Sequence, residues 1–269
     1  MNIRYPIYSS HPRILDKIII KLGLAFPAYC TVCGKIALIV KCGDNLRETC
    51  RCVRCGASNR QRQIAYTVCK SISVLYKQKI HCLAELARCV DLNVYNTEAT
   101  GPVHNALAGM TYYKCSEYLG PGKKSGELVN GILHQDLMQL SFGDSTFELV
   151  LSADVLEHVP DPYKAHAEIH RVLKPAGRHI FTVPFYQTEF LDETRTFVGE
   201  SGDLVYIKEP QYHDDPIRPE GALVYTIFSL QMLAELKRIG FRTNLYHLYM
   251  PWYGILGTNA IVFEAIKQD

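Results

Sequence analysis

The chain has 269 residues, 48% hydrophobic and 21% charged, enough for one large domain plus a small appendage and too apolar for global disorder. No apolar run reaches the roughly 18 residues that span a bilayer, and the start lacks the apolar core and cleavage site of a signal peptide, so a cytoplasmic chain without a transmembrane segment is expected. The net charge of +2 hides a split: residues 1–89 hold 15 Lys+Arg against 4 Asp+Glu, a net of +11, whereas residues 90–269 hold 14 against 23, a net of −9. Such asymmetry fits an anionic partner, whether nucleic acid, a phosphorylated substrate, acidic lipid or the chain's own acidic portion.

In chain order, Ile14 to Phe26 is apolar with Asp16, Lys17 and Lys21 interspersed, which predicts an amphipathic helix packed on the protein; a helix lying in a membrane interface is the alternative. Six of the ten cysteines then fall between Cys30 and Cys55. Cys30-Thr-Val-Cys33-Gly34 and Cys52-Val-Arg-Cys55-Gly56 are two CxxC pairs at the spacing of a four-cysteine zinc site. Each pair suits a tight turn whose amides point at thiolates, and the following glycine tolerates the backbone angles needed. Disulfides fit poorly in a reducing compartment. Cys50 competes with Cys52 as a ligand, while Cys69, Cys82, Cys89 and Cys115 read as small buried apolar residues. With four cysteines filling the coordination sphere, the zinc is structural. A helix from about Gln61 to Leu75 follows, led by Arg60 and Arg62, which suit either a phosphate or carboxylates of the large domain.

From Val90 onward, strands are predicted at Val90–Asn96, Thr111–Glu117, Leu128–His134, Phe147–Ala153 and Arg178–Pro184. Helices are expected at Pro162–Leu173, stopped by Lys174-Pro175-Ala176-Gly177, and at Phe228–Ile239, before late strands Phe241–Leu248 and Ala260–Ala265. This alternation implies an α/β fold: a Rossmann-like, doubly wound, mainly parallel sheet. The expected division is an N-terminal segment 1–28, a zinc-ribbon-like module 29–60, a linking helix 61–89 and a large domain 90–269 with an insertion 185–224. That insertion, holding Tyr186, Glu189, Arg195, Tyr206, Tyr212 and His213, is expected to cover the site. Ligands of such sheets bind outside the carboxyl ends of the strands, where Asn96, Glu98, Glu117, Asp136 and Asp154 fall.

The run from Asp136 through Leu140-Ser141-Phe142 to Val150, then Ser152-Ala153-Asp154-Val155-Leu156-Glu157-His158-Val159-Pro160-Asp161 and Arg171-Val172-Leu173-Lys174-Pro175-Ala176-Gly177, resembles class I S-adenosylmethionine-dependent methyltransferases of the type 11 kind. The cysteine module with its Arg-x-Arg helix, and Tyr212-His213-Asp214-Asp215-Pro216, resemble a subgroup of that family. The resemblance implies S-adenosylmethionine as cofactor beside the zinc. It implies that Glu117 accepts from the ribose hydroxyls, that Asp136 and Leu137 flank the adenine, and that Asp154 and the peptide around Ser152 lie near the methionine moiety. Where the family has an acidic residue and GxGxG, this chain has Asn96-Thr97-Glu98-Ala99-Thr100-Gly101-Pro102, keeping only Gly101. Asn96, Glu98 and Gly101 would line the cofactor. His158 and His213, with Asp214 orienting, are the candidate general bases, and Glu157 joins His158 where the acceptor arrives. Three functions follow: methylation of a small molecule or saccharide, methylation of RNA gripped by the basic module, and a non-catalytic scaffold favoured by the missing glycines.

Overall fold

The structure, a computed structural model, describes residues 14–213 and 220–268. Chain contacts divide it into two compact units, one holding the chain up to Cys115 together with Asn244–Glu264, the other Ser116–Thr243 with Ala265–Asp269. Among the described residues, no helix is long and apolar enough to cross a membrane.

In the first unit, helix α1 (Ile14–Leu22) buries Asp16 and Ile19 and exposes Ile14, Ile18 and Leu22. The buried Asp16 carboxylate accepts from the Tyr249 hydroxyl at 2.9 Å. Strands β1 (Phe26–Tyr29), β2 (Ile36–Val40) and β3 (Arg51–Cys52) form an antiparallel sheet. β2 alternates in burial, with Ala37 and Ile39 inward and Ile36 and Leu38 outward, the period of a one-sided sheet. The CxxC knuckles are the turns beside these strands. Helix α2 (Asn59–Tyr76) starts on a capping box in which Ser58 and the side chain of Gln61 satisfy one another's amides. It buries Ile64, Ala65, Val68, Cys69 and Ile72 on one face, the helical repeat that the sequence shows.

After helix α3 (Leu83–Cys89), β4 (Val94–Asn96), helix α4 (Gly101–Leu107) and β5 (Tyr113–Cys115) make a βαβ unit, with β4 and β5 parallel and Val94 facing Tyr113. Both strands are shorter than predicted. Cys69 and Cys82 are buried as expected, but Cys89 is exposed.

The second unit departs first at Leu128–His134. The predicted third strand is a hairpin of β6 (Leu128–Val129) and β7 (Ile132–Leu133). Asn130 and Gly131 between them have φ of 52° and 81°, the left-handed pair that a two-residue hairpin turn requires. Parallel pairing is carried instead by single residues: the Glu117 amide donates to the Leu133 carbonyl at 3.0 Å, and Gln135 donates to the Glu117 carbonyl at 3.1 Å. Strand β8 (Phe147–Ala153), helix α5 (Pro162–Val172) and β9 (Leu173–Thr182) form a second βαβ unit with β8 and β9 parallel. β9 takes in Lys174-Pro175-Ala176-Gly177, read from sequence as a stop. A register shift between Phe147 and Leu149, with Ala176 at φ 58°, absorbs the irregular residues as a bulge. Helix α6 (Leu230–Ile239) is capped by Ser229 and ends on Gly240, and strands Phe241–His247 and Ile261–Lys267 follow. The insertion is built of short antiparallel pieces: Glu193–Thr194 on Thr226–Ile227, Thr196–Val198 on Leu204–Tyr206, and Tyr212–His213 on Ala222–Leu223. An open cleft within it is lined by Tyr186, Glu189, Asp192, Thr194 and Lys208.

The core beneath β8 and α5 holds two imidazoles. His166 and His179 are fully buried, their rings 5.5 Å apart, and His179 Nε2 lies 2.9 Å from the Ser152 hydroxyl. Burial pushes His166 down to about 3 and His179 well below the usual imidazole range. Both are therefore neutral in the folded chain but protonate near 6.5 once unfolded. The unfolded state binds more protons as pH falls below that value, so stability drops with acidification. Each should contribute a loss of about 1 kcal/mol between pH 6.5 and 5.5. Thermal unfolding across that range, with a shallower slope in His166→Phe, is the expected result; equal slopes would contradict it.

Candidate functional site

The first unit carries the cysteine cluster. The two knuckles repeat one geometry. Gly34 donates to the Cys30 carbonyl at 2.8 Å and Cys30 to the Lys35 carbonyl at 2.9 Å; Gly56 and Cys52 do likewise with Cys52 and Ala57, at 2.8 and 2.9 Å. Gly34 and Gly56 sit at φ of 71° and 76°, which explains glycine after each pair. The turns bring the sulfurs of Cys30, Cys33, Cys52 and Cys55 within 4.8 Å of one another. Cys30 and Cys55 are 3.7 Å apart, close to the roughly 3.8 Å between thiolates 2.3 Å from one tetrahedral zinc. Contact with Cys55, the amides of Cys33 and Val32, and the Arg62 charge lower the Cys30 thiol, while the same contact and burial raise that of Cys55. This donor set fits zinc. Cys42 and Cys50 are joined in a disulfide. That corrects the expectation of reduced thiols throughout, and with it the expected competition between Cys50 and Cys52.

Arg60 and Arg62 meet partners that the sequence reading does not single out. Arg60 pairs with Glu48 of the cysteine module, Nε to both carboxylate oxygens at 2.9 and 3.0 Å. Arg62 is fully buried and donates to the carbonyls of Ala57 at 2.6 Å and of Cys50 and Gly254 at 2.7 Å. In both cases a nearby acceptor within the same unit took the charge.

Also in this unit, Asn96 at the end of β4 is buried, its amide donating to the Glu98 carbonyl at 2.9 Å and to the Tyr113 hydroxyl at 3.0 Å. It locks the turn. Gly101 opens α4 at φ 85°, and a Cβ there would meet only the Gln61 amide at 3.8 Å. The retained glycine thus stands at the strand-to-helix turn.

In the second unit, Glu117 is half-buried, and its backbone is fixed between Leu133 and Gln135. Asp136 adjoins that ladder. Its amide donates to the Ser125 hydroxyl and its Oδ1 accepts from the Met138 amide, both at 2.8 Å. Leu137 is buried. Ser152 turns its hydroxyl inward to His179. Asp154, just past β8, has φ of 54°, a left-handed conformation that a non-glycine residue holds only where surrounding structure enforces it.

A three-residue turn, Leu156–His158, follows. Glu157 is fully buried, and desolvation with repulsion from Asp154 raises its carboxyl above the usual range. The hairpin Tyr212–His213/Ala222–Leu223 brings His213 to it: His158 Nε2 and His213 Nδ1 each lie 3.7 Å from Glu157 Oε1, and the rings meet edge to face at 5.0 Å. His158 and His213, nominated separately from sequence, are one cluster. Asp214 lies outside the described residues. Sequence reasoning missed that Glu157 is the buried member joining them; the run Leu156-Glu157-His158-Val159, polar residues between apolar ones directly after a strand, was the available signal.

Residues 113–181 match the family described as a methyltransferase domain. A demethylmenaquinone methyltransferase of Staphylococcus epidermidis is 43% identical over 56 residues, 20% of this chain and 23% of that protein. Cycloartenol-C-24-methyltransferase 1 of Oryza sativa is 34% identical over 76 residues, 26% of this chain and 22% of that protein. The chain therefore spans less than a quarter of the length of these curated relatives. Among solved structures, a Burkholderia thailandensis 1,6-didemethyltoxoflavin-N1-methyltransferase with S-adenosylhomocysteine bound is 15% identical, over 70% of this chain and 77% of that one, with a TM-score of 0.43.

Proposed function

We propose that the protein is an S-adenosylmethionine-dependent methyltransferase whose large domain covers residues 90–269 and whose cysteine module holds a structural zinc. The observation that carries this reading is the methyltransferase-domain match over residues 113–181, a segment that includes Glu117, Asp136 and Asp154. A carboxylate after the second strand of such a fold accepts from ribose hydroxyls. Glu117, half-buried on a fixed backbone, suits that role. Asp136 keeps one oxygen on the Met138 amide, so its carboxylate is already aimed before any ligand arrives. Asn96, Glu98 and Gly101 remain cofactor candidates on the sequence resemblance alone, as do Asp154 and the peptide around Ser152 for the methionine moiety. When bound, the cofactor supplies an electrophilic methyl group; the chain's residues align the acceptor and exclude water. A hydroxyl acceptor must also lose a proton, and the Glu157, His158 and His213 cluster supplies groups for handling it.

For the acceptor we favour a small molecule or saccharide over RNA. The engagement of Arg60 by Glu48 and of Arg62 by backbone carbonyls removes the two arginines best placed for phosphate contacts. A salt-dependent gel shift with RNA tests this, since phosphate contacts predict a steep loss of affinity with salt. The cofactor assignment is tested by calorimetry: Glu117→Ala should weaken S-adenosylmethionine binding by about a hundredfold, as expected for two charge-assisted hydrogen bonds, with an unchanged melting temperature. Unaltered affinity would remove Glu117 from the site, and no binding by the wild type would favour a scaffold.

A further inference from the structure

The cluster at Glu157 is electrostatically unfinished. Glu157 is wholly buried, and among the described residues neither of its carboxylate oxygens has a hydrogen-bond partner. An uncompensated buried carboxylate costs several kcal/mol. Two imidazole nitrogens approach the same oxygen, each at 3.7 Å, beyond hydrogen-bond distance.

One proton is placed by the backbone. His158 Nδ1 lies 2.8 Å from the Leu223 carbonyl, which can only accept, so Nδ1 carries the hydrogen. In the neutral tautomer that this bond selects, Nε2, 3.7 Å from Glu157 Oε1, is the acceptor nitrogen of the ring. Acceptor faces acceptor, an arrangement that repels unless positive charge lies between. The nitrogen of each imidazole and one carboxylate oxygen all fall within 4.8 Å of one another. Ligand atoms about 2.1 Å from one tetrahedral ion stand about 3.4 Å apart, so each imidazole nitrogen, 3.7 Å from Glu157 Oε1, stands within about 0.3 Å of the spacing that a shared ion sets.

We propose that Glu157, His158 and His213 bind a divalent transition-metal ion of the zinc, cobalt or manganese type. Two imidazoles and one carboxylate suit such ions and leave coordination positions open. The hydrogen bond from His158 to Leu223 is the outer contact that orients a metal-bound imidazole. His213 Nε2 lies 3.3 Å from the Gln211 amide nitrogen; with that amide turned over, its oxygen accepts from Nε2–H and frees Nδ1 for the metal. The Asp154 charge, which opposes ionisation of Glu157, becomes favourable beside a dication. An acceptor hydroxyl on the open positions would be acidified by the ion, so the imidazoles would act through the metal instead of as bases. That last role rests on the methyltransferase reading; the site itself does not.

The test uses the full chain with its cysteine cluster first saturated with zinc, titrated with Co2+ and followed by visible absorption and calorimetry. One further equivalent should bind, showing weak d–d bands and no thiolate-to-cobalt charge transfer. Glu157→Gln, which removes the charge but keeps the shape, and His213→Asn, on a half-exposed hairpin, should each weaken it more than about tenfold without lowering the melting temperature. Absence of a second equivalent in the wild type would overturn the proposal and leave a metal-free carboxylate–imidazole group; so would full affinity in both variants. S-adenosylmethionine titrated into the same samples separates the two readings. Cobalt uptake without cofactor binding leaves the metal site standing alone, and cofactor binding without cobalt uptake does the reverse.

Discussion

Cys52→Ser is expected to release zinc from the chain and to unfold the strands around it. The sheet β1–β3 offers little apolar core of its own: its strands are four, five and two residues long, and Ile36 and Leu38 face outward. A unit that small would rely on the proposed metal, and structural zinc contributes on the order of 10–16 kcal/mol in isolated finger peptides. Here neighbours share the load. Asn59 donates to the Leu46 and Leu256 carbonyls at 2.9 and 2.8 Å, and Tyr29 and Tyr66 pack on Tyr253. The melting temperature should therefore fall by roughly 10 °C or more, without total collapse. Metal analysis should show stoichiometric zinc in the wild type and almost none in Cys52→Ser, and prolonged chelation should reproduce the variant's melting curve. Cys42→Ser is the informative comparison. It breaks the disulfide but touches none of the four clustered sulfurs, and so should keep its zinc. Zinc-free wild-type protein, or loss of zinc from Cys42→Ser alone, would refute the assignment.

What the sequence disclosed depended on the range of the interaction responsible. The knuckles were legible because every constraint lies within five residues: two cysteines, a glycine at positive φ and a closing amide. Strand β8 and helices α5 and α6 were legible for a similar reason, since apolar period and caps are local. The hairpin at Leu128–Leu133 was read as one strand although Asn130-Gly131 is among the strongest short hairpin signals; the apolar residues on either side outweighed the turn chemistry. The bulge at Ala176 and Gly177 escaped because the same residues stop helices as readily as they kink strands. Other features rest on distant partners. The sequence cannot say which cysteines pair, so Cys42–Cys50 was invisible. Nor does anything near Glu157 announce His213, which a hairpin more than fifty residues later delivers. Burial of Glu157, the fact that gives the cluster its chemistry, is a property of packing alone.

Arg62 shows most sharply how a charge read from sequence changes meaning once placed. As part of a net of +11 it seemed available to an anionic partner. In the structure it has no exposed surface, and its guanidinium spans three carbonyls from separate segments, those of Ala57 beside the second knuckle, Cys50 in the disulfide and Gly254 in the late loop. Its own carbonyl accepts from Thr31 in the first knuckle at 2.8 Å. The charge is matched as well as the geometry. Four thiolates on the proposed dication would leave two negative charges; burial pushes the Arg62 guanidinium below its usual range, and the four cysteines oppose that loss of its proton. Arg62→Met keeps much of the volume but strands three buried acceptors and the excess thiolate charge. Removing one member of a buried charged network costs about 3–5 kcal/mol, a fall of roughly 10 °C in melting temperature for a chain of this size. Arg62→Lys should recover only part of this, because an ammonium on a flexible stem cannot present the fork that reaches three carbonyls. If zinc binding by the cluster depends on this cation, Arg62→Met should also give up its metal to a chelator at lower concentration than the wild type does. A melting temperature within about 2 °C of wild type, no more than the shift that about one kcal/mol produces in a chain of this size, would show instead that the arginine only fills space and that the thiolate charge is balanced elsewhere.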